Sequence, residues 1–196
     1  MNDLKNILIV GVGGQGTLLA SKVLAKVAVM AGYDVKVSEV HGMAQRGGSV
    51  VTQVRYGSRV FSPLIPKGEA DVIVAFEQLE ALRWMPYLRP GGRVIVNDQI
   101  IEPMPVILGA ASYPDSIPER IRESCPGTLV VSAQGIARNC GSERSANIVL
   151  LGILAGTLEL PETGWDTALA QSVPPATLEV NRAAFRAGRE VAAQRN

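Results

Sequence analysis

Residues 6–10, NILIV, form an unbroken apolar run rich in β-branched side chains and stop at Gly11, a pattern that predicts a buried strand entering a glycine turn. Residues 17–31 read as a mostly buried helix. Leu18, Leu19, Val23, Leu24, Val27 and Ala28 surround a narrow polar stripe of Ser21, Lys22 and Lys26, and Gly32 supplies the stop. Residues 34–40 predict a second strand. A nucleotide-binding crossover would continue with a helix, but residues 49–56, SVVTQVRY, again look like a strand. Residues 59–61, RVF, beyond Gly57-Ser58, complete a predicted hairpin. The stretch VHGMAQRGGSV then connects strand two to an antiparallel pair, and the sheet is mixed, not wholly parallel.

An α/β rhythm resumes beyond the hairpin. Residues 71–76 predict a strand, 78–88 a helix, RPGG at 89–92 a stop and 93–96 a strand, together one parallel crossover unit. Residues 104–108 suggest another strand, 117–123 a short helix and 128–131 a further strand. Residues 143–158 are almost wholly apolar at helical length, which suits a core or subunit-interface helix and is too short for a membrane span. The last predicted helix, 175–193, places Leu178, Ala184, Ala187 and Val191 on one side and Glu179, Arg182, Arg186 and Arg189 on the other. The expected architecture is α/β: a single three-layer α/β/α domain over residues 1–196, Rossmann-like, with a mixed sheet containing a β-hairpin after strand two.

Composition narrows the partners. A chain of 196 residues with 47% apolar and 19% charged positions and a formal net charge of +1 is long enough for one core, and carries no cationic excess to neutralise nucleic-acid phosphates. MNDLKNILIVG lacks the layout of a signal peptide, so cytoplasmic residence is expected, with neither membrane nor nucleic acid as partner. Cys125 and Cys140 are too few and too isolated for a zinc or iron–sulfur site, so no metal site is expected on this chain.

GVGGQG at 11–16 matches GxGxxG between a strand and a helix, where backbone N–H groups and the helix N-terminus favour an anion. Thr17 replaces the lysine of a phosphate-binding NTPase loop. Glu39, near the end of strand two, keeps a dinucleotide-dependent dehydrogenase open as an alternative. So does a plainer reading, in which the glycines only turn strand into helix and permit close packing. His41 is the single histidine and has no recognisable triad around it. Arg46, followed by Gly47 and Gly48, sits where a guanidinium meets a carboxylate or phosphate with no β-carbon in the way. Glu77 and Asp98 follow strands on the edge where open α/β sheets bind ligands, although isolated acids there are commonly solvated. Asn147 has the chemistry to fix a loop by hydrogen bonds. No catalytic residue is assigned.

Two segments together, GVGGQGTLLASKVLAKVAVMAGYDV and VHGMAQRGGSVVTQVRYG, resemble the gamma-type domain of the 2-oxoacid:ferredoxin oxidoreductases. The HGMAQRGGSV wording is most similar to the indolepyruvate branch, and DVIVAFEQLEALRWMPYLRPGGRVIVN and SANIVLLGILAG extend the likeness over most of the chain. The resemblance implies an accessory subunit in the oxidative decarboxylation of an arylpyruvate to an acyl-CoA, with pyruvate or 2-oxoglutarate as other substrates and electrons passing to ferredoxin. It implies that thiamine diphosphate, magnesium and [4Fe-4S] clusters lie on a larger catalytic partner subunit, with coenzyme A as co-substrate. By position it directs cofactor binding to Gly11, Gly13, Gly14, Gln15 and Gly16 of the first loop and to Arg46, Gly47 and Gly48 of the second.

Overall fold

The first strand, β1 (Lys5–Val12), buries both faces: Ile7 and Ile9 enter one core cluster, Leu8 and Val10 the other. A strand apolar on both sides belongs in the middle of a sheet covered on both faces. The computed structural model describes residues 4–42 and 48–194. In chain order β1 is followed by α1 (Thr17–Met30), β2 (Asp34–His41), β3 (Ser49–Gly57), β4 (Ala70–Ala75), α2 (Gln78–Trp84) and β5 (Leu88–Asn97). Then come α3 (Met104–Ile107), α4 (Ile117–Ser124), β6 (Leu129–Val131), α5 (Ala133–Asn139), α6 (Ala146–Ala155), α7 (Glu162–Ala170) and α8 (Leu178–Ala193).

The sheet order is β2-β3-β1-β4-β5-β6, with β1, β4, β5 and β6 parallel and β3 antiparallel to both β1 and β2. The crossover through α1 therefore leaves one strand position empty, and β3 turns back to fill it. Its sequence explains the choice: SVVTQVRYG is buried along nearly its whole length, whereas DVKVSEVH carries charge and exposure and takes the edge. One layer, containing α1 and α6 to α8, packs on the first cluster, and α2 and α4 cover the second. The three-layer mixed α/β architecture agrees with the expectation.

Several details differ. The hairpin's arms are β2 and β3, and residues 59–61 form no strand. The polar groups of that segment are captured by side chains in place of a ladder: Asp34 accepts from the Val60 N–H at 2.8 Å, and the Arg55 guanidinium donates to the carbonyls of Ser62 and Leu64. Residues 104–108 are not a strand either. Pro103 and Pro105 remove ladder donors, and Val106 and Ile107 donate back to the Pro103 carbonyl in the single turn of α3. The helix expected to reach Leu88 ends at Trp84, because Pro86 allows only a 3₁₀ turn before β5 begins. In α1, Ser21 is buried and donates to the Leu18 carbonyl, while Leu18, Val29 and Met30 are exposed.

Nine of the ten residues of α6 are buried, and burying each of its large aliphatic side chains is worth roughly 1.5–3 kcal/mol. This is possible because α8 lies unusually close. A β-carbon on Gly188 would stand 2.1 Å from the Val149 carbonyl oxygen, and one on Gly152 would stand 2.2 Å from the Phe185 oxygen. The fully buried residues of α8 are therefore Asn181, Ala184, Gly188 and Ala192, while Leu178 and Val191 of the expected face pack against the core half-buried. Small residues are selected there by the approach of backbones, a requirement that hydropathy does not register.

Candidate functional site

The carboxyl ends of β1, β4 and β5 meet at the point where the crossovers leave the sheet on opposite faces, the place where open α/β sheets form their ligand crevice. Residues 13–16 occupy it. Gly14 has φ +100° and Gly16 φ +84°, left-handed conformations that a side chain disfavours, so the turn from β1 into α1 depends on glycine at both. Gly16 caps α1 without a side-chain acceptor, and the helix's first turn contains no acid. Its leading N–H groups and positive dipole end are thus open to an anion.

The first loop is held by its own glutamine. Gln15 Oε1 accepts from the Val12 N–H at 2.7 Å, while Nε2 donates to the Phe76 carbonyl and to Gln99 Oε1, both at 2.9 Å. Gln99 Oε1 also accepts from Asn97 at 3.2 Å and from Gln134. Asn97 is buried, bonds Phe76 O at 3.0 Å and accepts from the Ala133 N–H at 3.0 Å. The amides thereby tie the ends of β1, β4, β5 and β6 into one rigid edge. Gly11 serves this packing, since a β-carbon there would stand 2.9 Å from Phe76 Cβ and 2.8 Å from Gln15 Oε1.

The two loops singled out in the sequence do come together. Gly13 N–H donates to the Gly48 carbonyl at 2.9 Å, and Ser49 Oγ donates to the buried Glu80 carboxylate at 2.5 Å, which Arg83 pairs at 2.6 Å. Arg46 and Gly47 lie outside the described residues. On either side of the first loop is a cleft. One, of about 390 Å³, is lined by Gly13, Gly14, Gly16, Thr17, Glu39 and His41 among others. The second, of about 520 Å³, is lined by Gly14, Gln15, Asn97, Gln99, Gln134, Arg144 and Asn147 among others.

The remaining sequence candidates take structural or surface positions. Glu39 is exposed on the edge strand and accepts from Thr52 Oγ1 at 3.3 Å. With β3 between β2 and β1, it stands two strands from the glycine turn's own strand, unlike the acid of a dinucleotide fold. His41 is exposed at the end of β2. Glu77 is a buried N-cap of α2, accepting from the Glu80 and Ile101 N–H groups and from the Tyr113 hydroxyl. Burial, followed by the bond to the Glu77 carboxylate, holds the Tyr113 phenol above its ordinary pKa. Asp98 is exposed and accepts from Gln78 at 2.8 Å.

The residues missed by the sequence reading are Asn97, Gln99, Gln134 and Arg144. Their signal was position: Asn97 ends β5, Gln99 lies two residues beyond it, and Gln134 stands in the first turn of α5, three residues after β6. Among the described residues no group of three or more His, Cys, Asp or Glu side chains is arranged to hold a metal ion. None of the described helices is long and apolar enough to cross a membrane. The edge offers backbone donors, amides and a rim arginine, with Glu39 and Glu143 also on the cleft walls, which is equipment for binding and placing a ligand.

Comparison with known proteins gives the family. The family model described as pyruvate ferredoxin/flavodoxin oxidoreductase matches residues 6–191. Indolepyruvate oxidoreductase subunit IorB of Thermococcus kodakarensis is 43% identical over 188 residues, 93% of each chain. The same subunit of Archaeoglobus fulgidus is 46% identical over 158 residues, 80% of this chain and 78% of that one. The keto/oxoacid ferredoxin oxidoreductase gamma subunit from Geobacter sulfurreducens superposes with a TM-score of 0.72 at 26% identity, covering 97% of this chain and 99% of the other. The chain thus belongs to the pyruvate ferredoxin/flavodoxin oxidoreductase family.

Proposed function

We propose that this chain, acting as one domain over residues 1–196, is the small accessory subunit of an indolepyruvate or other arylpyruvate:ferredoxin oxidoreductase in the cytoplasm. The reaction is the oxidative decarboxylation of the 2-oxoacid to an aryl-acetyl-CoA, with electrons passed to ferredoxin. The arylpyruvate reading rests on the 43–46% identity to indolepyruvate subunits, against 32% for a 2-oxoglutarate synthase subunit KorC over 193 residues.

The observation that carries the assignment of a site is the Gly13–Gly48 hydrogen bond, which joins the glycine turn to the stem of the arginine loop. The described residues do not fit thiamine diphosphate with magnesium or an iron–sulfur cluster: there is no acidic cluster, Cys125 is buried and Cys140 is distant in sequence. In this reading those groups belong to a larger partner subunit. Coenzyme A, which supplies the thiol that takes the acyl group, does fit the edge in kind. Its acidic portion suits the uncapped start of α1, and Gly14 leaves open space where a side chain would stand. Gly13, Gly14, Gly16 and Gly48 act through backbone, Gln15 and Gly11 keep the loop in shape, and Arg46 with Gly47 presents a guanidinium to the ligand or the partner.

Co-expression with the large thiamine- and cluster-bearing subunit tests this. A stable complex that reduces ferredoxin in the presence of indolepyruvate and coenzyme A is expected. A chain that stays unassociated, or a large subunit equally active without it, would overturn the assignment.

A further inference from the structure

At the opposite end of the sheet from the glycine turn, β5 outruns its neighbour. It is ten residues long, but β6 has three and pairs only with Ile95 to Asn97. Below that pairing β5 has β4 on one side and no strand on the other, and the gap opens into a cavity of about 720 Å³, larger than either cleft beside the glycine turn. That volume lies in the range of small-molecule sites.

The walls divide by chemistry. Leu88, Ile95, Leu129 and Ile153 supply an apolar lining, while the charged side chains along the cavity are two arginines, Arg89 and Arg93, with no carboxylate among its described lining residues. Arg89 is already neutralised by Asp71, Nε to Oδ1 at 2.8 Å, and the other Asp71 oxygen accepts from the Asn6 N–H. The Arg93 side chain has no hydrogen-bond or ion-pair partner among the described residues, although its backbone sits in the β4–β5 ladder. The cavity therefore carries one unmatched positive charge over an apolar floor.

We propose that this cavity binds a small apolar molecule bearing one carboxylate, with the anion at the exposed Arg93 and the apolar body against the half-buried Leu88 and Leu129. A guanidinium suits a carboxylate bidentately, and the floor rewards burial of an aromatic ring or a short alkyl chain. The inference does not depend on the partner or reaction proposed above. The site is separate from the glycine-turn edge, so a ligand here would not compete for it.

Two acids distinguish the source of such a ligand: indole-3-acetate for an arylcarboxylate and octanoate for a fatty acid, each compared with its uncharged counterpart, indole or octanol. Titrated into the ¹⁵N-labelled full chain, at least one acid is expected to shift the amides of residues 91–95 and 127–129 saturably while those of Gly13 to Gly16 stay in place. The acid that saturates at lower concentration identifies the class. Arg93→Ala should leave the spectrum folded and weaken the acid by about tenfold, the worth of one charge-assisted hydrogen bond, with no change for the neutral counterpart. Equal binding of acid and neutral compound, retained affinity in Arg93→Ala, or no shift with either acid at millimolar concentration would overturn the proposal.

Discussion

Gln15 and Gln99 are joined side chain to side chain, Nε2 to Oε1 at 2.9 Å, across a sequence gap of 84 residues. Because Gln99 Oε1 accepts from Gln15, Asn97 and Gln134 together, the orientation of its amide is dictated by its neighbours. The glycine turn is thus positioned by the ends of the adjacent strands as well as by its own backbone, so the loop is held in one shape before any ligand meets it.

Replacing Gln15 with Ala leaves the Val12 N–H without its acceptor. The expected loss is about 2 kcal/mol of stability, read as a lower urea midpoint at unchanged slope. In a double-mutant cycle with Gln99→Ala the two changes should couple by about 1 kcal/mol, and strict additivity would mean that the amide bond contributes nothing.

The two left-handed glycines of the turn should respond unequally. Gly14→Ala meets open space and incurs only the conformational cost, about 1–2 kcal/mol. Gly16→Ala adds a collision, since its β-carbon would lie 2.5 Å from Asn147 Nδ2. Thermal unfolding of the pair should place Gly16→Ala clearly below Gly14→Ala.

Much of this site was legible in the sequence, and the parts that were not share a cause. A strand running into GVGGQG, and an arginine followed by two glycines after the second strand, are local patterns, so the two loops were visible and their convergence followed from strand order. The amide cluster was not visible, because Asn97, Gln99 and Gln134 acquire meaning only when β5 and β6 stand beside β1. The same holds for residues 59–61: their alternation looks like a strand, yet Asp34 takes the Val60 N–H, Arg55 takes the carbonyls of Ser62 and Leu64 just beyond, and Phe61 is left 83% exposed beneath the Arg59 guanidinium. Where a side chain distant in sequence satisfies the backbone, periodicity misleads.

Gly188→Ala should be among the most damaging small substitutions in the chain. The added methyl would stand 2.1 Å from the Val149 carbonyl oxygen, a backbone atom that cannot rotate away. A loss of about 3 kcal/mol is expected, visible as a large fall in Tm, whereas Ala187→Gly on the same helix costs only about 1 kcal/mol through propensity.

Alkaline pH should expose Tyr56. Burial, the largest effect, with the negative charges around it, holds its phenol above the ordinary value in the folded chain. The unfolded chain releases that proton near pH 10, so the contribution is intact below about pH 10 and is lost as pH rises towards the folded-state value. Urea midpoints between pH 9 and 11.5 should fall less steeply for Tyr56→Phe than for the parent protein.

Arg46→Ala tests the second loop. In the assembled enzyme it should depress acyl-CoA formation by at least about tenfold if the guanidinium meets an anionic ligand, while the isolated chain keeps its urea midpoint. Unchanged turnover would leave the loop a purely structural connection.

The near-complete burial of α6 has a consequence for synthesis. Its partner on one side, α8, begins 23 residues after α6 ends, so a growing chain leaves the α8-facing side of α6, with Val149 and Gly152, uncovered until Leu178 to Ala193 have left the ribosome. One side of a strongly apolar helix is thus sheltered late, and nascent chains stalled before α8 should require a holding chaperone to stay out of aggregates.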